Sequence, residues 1–106
     1  MGTTSLRTLD TFARGLAEHG WKVRLCVPAD AAAHLVVTCR SAGDVEYVVV
    51  PALHGVQVAA RSAVSRNVYD ARALGAGHAA EEVHELLRQD MAAARRSARA
   101  RALVAA

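Results

Sequence analysis

The spacing of hydrophobic positions changes twice along this chain. Over residues 5 to 19, Leu6, Leu9, Phe12, Ala13 and Leu16 recur at three- and four-residue intervals, which predicts an amphipathic helix. Thr4 or Ser5 is placed to cap its start, and Gly20 to supply the left-handed residue that ends it. From Trp21 the period falls to two. Trp21, Val23, Leu25 and Val27 share one face while Lys22, Arg24 and Cys26 share the other, the pattern of a half-buried strand.

Pro28-Ala29-Asp30 breaks that strand, and residues 31 to 33 lead to a second apolar segment at 34 to 40. Ser41-Ala42-Gly43-Asp44 has the composition of a turn. Residues 45 to 50 read as a third strand, whose closing run of Val suits a place central to a sheet. Pro51 cannot donate to a ladder and ends it. Leu53-His54-Gly55 turns the chain into a fourth strand at 56 to 60, with Val56 and Val58 inward and Gln57 outward. Residues 61 to 77 are mixed: Ser62, Ser65, Asn67, Gly75 and Gly77 favour a loop, while Val64, Val68, Tyr69 and Leu74 offer anchors for a short helix or turn. Helical spacing returns from Ala79, with Ala80, Val83, Leu87, Met91 and Ala94 on one stripe and Leu86 beside it. Glu81, Glu82 and Glu85 lie early in this helix and Arg95, Arg96, Arg99 and Arg101 late, an order that complements the helix dipole.

The elements therefore run α-β-β-β-β-α. Short turns between strands imply antiparallel pairing, and the expected fold class is α+β. It is a two-layer sandwich in which a mainly antiparallel four-stranded sheet carries the N- and C-terminal helices on one face. Residues 1 to 106 read as a single domain, without internal repeats or a Pro/Gly/Ser linker. A last helix running past Ser97 to Leu103-Val104 would reach about 36 Å for roughly 24 residues, whereas strands typically span about 17–20 Å. Residues 95 to 106 are thus expected as an extended helix end or as a frayed basic tail.

Composition narrows the function. The apolar share is 53 %, but Ala supplies 24 of those residues, so the core must be built mainly from Val and Leu. Arg accounts for 12 of the 13 basic residues and Ile is absent, a composition expected of GC-rich coding in a bacterial type of genome. The longest apolar run, residues 48 to 53 with Pro51 admitted, is far short of the roughly 20 residues of a membrane span. The N-terminal residues have no apolar segment typical of a secretory signal. A cytoplasmic protein with no membrane partner is expected, in which Cys26 and Cys39 are buried thiols.

Charge is segregated. Residues 88 to 106 carry five Arg against one Asp, whereas residues 1 to 87 carry eight basic and nine acidic side chains. Guanidinium groups engage phosphate oxygens bidentately and displace counterions, so Arg88, Arg95, Arg96, Arg99 and Arg101 are the candidate nucleic-acid-binding residues. Trp21, Phe12, Tyr47 and Tyr69 lie elsewhere in the chain, so base stacking is not expected beside this cluster. Other chemistries lack their motifs. His78 and Glu82 make at most half a zinc site, and neither HExxH nor CxxC occurs. Ser62, Ser65, Cys26 and Cys39 lack the flanking signature of a nucleophile. Gly75-Ala76-Gly77 before a helix has the order of an anion-binding loop but not the Lys-Ser/Thr of a P-loop, and Glu81 and Glu82 would repel an anion there. No metal or other cofactor and no catalytic residue is assigned.

Gly20-Trp21 at a helix end, a strand, an Asp-bearing turn and then Val56-Gln57-Val58-Ala59 together resemble the core of restriction-endonuclease-like nucleases. In that family an acidic residue precedes Glu/Gln-x-Lys on the next strand. The resemblance covers residues 10 to 60. It would put Asp44 or Glu46 at the acidic position and Gln57 at the Glu/Gln position, but Ala59 stands where the lysine belongs, so it implies an inactive relative with a parallel strand in a mixed sheet.

The favoured reading is a non-catalytic binding or regulatory module that self-associates as a homodimer and contacts nucleic acid, or an acidic protein, through its Arg-bearing C-terminal helix. The alternatives are the inactive nuclease-like domain and a small-ligand protein or enzyme with a pocket between sheet and helices, drawing on Arg24, His34 and Arg40.

Overall fold

The computed structural model describes residues 2–40, 44–65 and 71–105. The first helix, α1 (Gly2–Glu18), buries Leu9, Phe12 and Leu16, residues spaced to lie along one stripe. It begins earlier than its capping pattern suggested, so Thr4 and Ser5 fall inside it. Its end follows the sequence expectation closely. Gly20 takes φ 89°, its N–H donates to Ala17 and that of Trp21 to Leu16, the paired bonds of a Schellman cap.

Five strands follow: β1 (Lys22–Cys26), β2 (His34–Thr38), β3 (Val45–Pro51), β4 (Val56–Ser62) and β5 (Arg72–Gly77), and the chain closes with α2 (Ala80–Ala105). The sheet is a meander in sequence order, and all its pairings are antiparallel. The α+β sandwich is as expected, with one correction. The sheet has five strands rather than four, because the mixed stretch ends in β5, where Gly75-Ala76-Gly77 pairs with Val56–Val58 instead of forming a loop ahead of α2. The mixed sheet implied by the nuclease-like resemblance is not formed, since no described pairing is parallel.

The fifth strand also sets the direction of α2. An odd number of antiparallel strands between two helices leaves both pointing the same way, whereas four would have reversed the second. Accordingly Gly15 faces Ala80, and four residues further along each segment His19, just past the end of α1, stacks on His84.

Registration sorts the side chains. The rows Val23–Val37–Tyr47–Ala60–Arg72 and Leu25–Leu35–Val49–Val58–Gly75 lie on the face that the helices cover. Leu9, Phe12, Leu16, Val83 and Leu87 meet them and fill the space between the layers. The row Arg24–Val36–Val48–Ala59–Ala73 lies on the opposite, open face. Gly55, at φ 89° in the β3–β4 turn, sits so close to β5 that a Cβ there would fall 2.1 Å from the Gly77 carbonyl oxygen, so this turn admits only glycine.

Candidate nucleic-acid interface

α2 is 26 residues long, about 39 Å at 1.5 Å per residue. Its first half belongs to the body of the protein. Glu82 accepts from the His78 backbone N–H across 3.2 Å, satisfying one of the amides ahead of the helix. Val83 and Leu87 are fully buried, and Leu86 and Met91 pack beside them.

Two polar anchors hold this half in place. Tyr47, almost wholly buried, donates its hydroxyl to Asp90 across 2.9 Å, and Arg72, on the same sheet row, pairs with the other Asp90 oxygen. Burial, and then the Asp90 carboxylate, push the phenol above its ordinary pKa, so the hydroxyl keeps its proton and remains a donor. At the other anchor, Trp21 Nε1 donates to His84 Nδ1 across 2.8 Å while the His19 ring lies parallel to His84 with centroids 4.0 Å apart. Burial chiefly, with His19 and Arg88 adding to it and Glu85 opposing, lowers the His84 pKa.

Beyond these anchors the helix leaves the sheet. Every residue from 93 to 100 is exposed, and the molecule measures 53 Å along its longest axis against 28 and 22 Å across. Arg88, Arg95 and Arg99 follow one another at seven- and four-residue spacing and so share a face, with Arg96 a quarter-turn away. Arg88 pairs with Glu85 at 3.5 Å. No carboxylate among the described residues pairs with Arg95, Arg96 or Arg99. The backbone at Arg101 is helical, but its side chain lies outside the described residues. Asp90, the one acid in this segment, is turned to the sheet and committed to Tyr47 and Arg72.

Where the small-ligand alternative would place a pocket between sheet and helices, the described residues Leu9, Phe12, Leu16, Val83 and Leu87 pack against the sheet. Arg24 and His34 lie on the open face instead, and Arg40 is exposed at the end of β2. That face carries a depression of about 460 Å³ lined by Val48, Val50, Ala59, Ala73 and Ala76, with Gln57 as its polar side chain. Among the described residues no three His, Cys, Asp or Glu side chains gather as metal ligands would, and Cys26 and Cys39, expected to be buried, are half-buried and form no disulfide. No described helix is long and apolar enough to cross a membrane.

Sequence reasoning missed both anchors. One available signal was Asp90, an acid placed three residues after Leu87 on the otherwise apolar stripe. Comparison with known proteins finds no family model, curated protein or solved structure that matches the chain.

Proposed function

We propose that this protein is a non-catalytic binding module that engages the phosphate backbone of nucleic acid through the distal half of α2. The observation that carries the reading is the set Arg95, Arg96 and Arg99, exposed and with no carboxylate partner among the described residues, on a helix that outruns its sheet. A guanidinium held on a helix presents fixed donors to phosphate oxygens, and each contact releases condensed counterions. The flanking residues are mainly Ala, which bring no aromatic platform, so the binding is tolerant of sequence. Self-association belongs to the same reading, because Ala94 and Ala98 continue the buried stripe of α2 into solvent.

The test is fluorescence anisotropy of a labelled duplex titrated with the full chain at two salt concentrations, with mass followed by light scattering. Binding should weaken with salt at a log–log slope of about −0.9 per phosphate contacted. The Arg95→Ala/Arg96→Ala/Arg99→Ala variant should lose most of that slope. Equal affinity and slope for the variant would overturn the reading.

A further inference from the structure

The sheet has two edges, and only one of them has an irregular backbone. β5 meets β4 with a bulge between Val58 and Ala59, Gly75 there takes φ 146°, and Arg72 is tied to Asp90. Irregularities of this kind stop an edge from templating another chain. β1 has no such feature. It pairs with β2 in unbroken register from Lys22↔Thr38 to Cys26↔His34, and no described strand lies on its other side. Alternate residues of β1 therefore aim backbone N–H and C=O groups outward, where a further strand would take them up.

The side chains specify the kind of strand. On the helix-covered face, Leu35, Val49 and Val58 are buried, but Leu25 at the end of their row is 44 % exposed and Val27, just past the strand, is 62 % exposed. The hydrophobic row runs out at the edge without a neighbour to close it. On the open face Lys22 and Arg24 are exposed, and no carboxylate among the described residues pairs with either. A second copy fits poorly. Antiparallel pairing of two β1 strands over their full length sets Arg24 opposite Arg24, and like charges in that position are destabilising.

We infer that β1 is a docking edge for an extended segment of another protein in which acidic and apolar residues alternate. Added as a sixth strand, it sets carboxylates opposite Lys22 and Arg24 on the open face and aliphatic side chains against Val23 and Leu25 on the other. Backbone bonds hold the segment, and the alternation selects it. Arg24, which repels a second copy, is with Lys22 what admits an acidic strand. This surface is separate from the distal half of α2 and does not depend on its binding nucleic acid.

The test uses the full chain, isotope-labelled for NMR, and short end-blocked peptides: one alternating Glu and Val, one of the same composition with Glu and Val in separate blocks, and one alternating Lys and Val. The Glu/Val alternating peptide should shift the amides of residues 22 to 27 and slow their hydrogen exchange, and the block peptide should bind roughly tenfold more weakly. Lys22→Glu/Arg24→Glu should exchange the preference, losing the Glu/Val peptide and taking the Lys/Val one. Arg95→Ala/Arg96→Ala/Arg99→Ala should bind the Glu/Val peptide as the parent does. Absence of binding, equal binding of the block peptide, perturbation centred on β5 or α2, or loss of binding in the triple arginine variant would each overturn the inference.

Discussion

The indole N–H of Trp21 donates to Nδ1 of His84, so the residue that follows the Gly20 cap of α1 is fastened to the second turn of α2 by a bond that exists only while that nitrogen is unprotonated. The neutral His84 ring is therefore the Nε2–H tautomer. His19, stacked on the same ring, adds a like charge if both imidazoles are protonated.

Stability should therefore fall on mild acidification. The folded-state pKa of His84 is lowered, so below about 6.5 the unfolded chain binds more protons than the folded one. The stabilisation is whole above that value and is lost as the pH falls from there through the lowered folded pKa. Urea midpoints measured from pH 8 to 5 check this. His84→Gln, which keeps a hydrogen-bond acceptor but does not titrate, should flatten the dependence. Because Trp21 is the only tryptophan, its fluorescence should follow the same transition, and a pH-independent signal would refute the argument.

Asp90 is expected to matter more than its partner Tyr47. Asp90→Ala leaves a buried phenolic hydroxyl without an acceptor, at about 1–3 kcal/mol, while the largely exposed Arg72 turns to water. Tyr47→Phe removes the donor but leaves Asp90 its bond to Arg72, so the loss should be nearer 0.5–1.5 kcal/mol. In the double variant the orphaned hydroxyl is gone, and urea unfolding should show a total below the sum of the two single losses.

Where α1 meets α2, Gly15 has no room to become alanine. A Cβ there would sit 2.3 Å from the Ala80 Cβ. Replacing a helical glycine by alanine normally gains about 1 kcal/mol, but overpacking of this kind costs about 1–3 kcal/mol, and a 2.3 Å overlap between two helices belongs at the upper end. Gly15→Ala should be net destabilising in denaturant melts, and Ala80→Gly in the same chain should recover most of the loss. A stabilised Gly15→Ala would show that the helices part freely.

Why some of this was legible in the sequence and some was not follows from the kind of interaction involved. α1, β1 and β4 announce themselves because burial of one face writes its own period into the residues, and β2 and β3 because they are apolar runs central to the sheet. β5 does not. Arg72-Ala-Leu-Gly-Ala-Gly has weak strand propensity and no clean alternation, and it is held as a strand by its ladder to β4 and by the close passage of Gly55 and Val83 against Gly77. Missing that strand also hides the direction of α2, which rests on strand parity alone. The arginines of α2 were visible because local charge is local information. The Tyr47–Asp90–Arg72 and Trp21–His84–His19 contacts were not, because each joins residues far apart in the chain whose meeting depends on that direction.

The distal half of α2 should be dispensable for folding. Residues 93 to 100 are exposed, and exposed positions away from caps and polar networks usually change stability by no more than about 0.5 kcal/mol. A chain ending at Ala94 keeps Val83, Leu87, Asp90 and Met91 and should unfold at nearly the parent urea concentration. A chain ending at Gln89 loses Asp90 and Met91 and should be severely destabilised, since the Tyr47 hydroxyl is orphaned and the packing of α2 is cut short. The shorter loss should also abolish duplex retention while leaving the fold intact. If ending the chain at Ala94 left duplex retention unchanged, the arginines of the exposed half of α2 would not be the nucleic-acid site, whereas a halved mass by light scattering would only mark the stripe that Ala94 and Ala98 continue as the contact between copies.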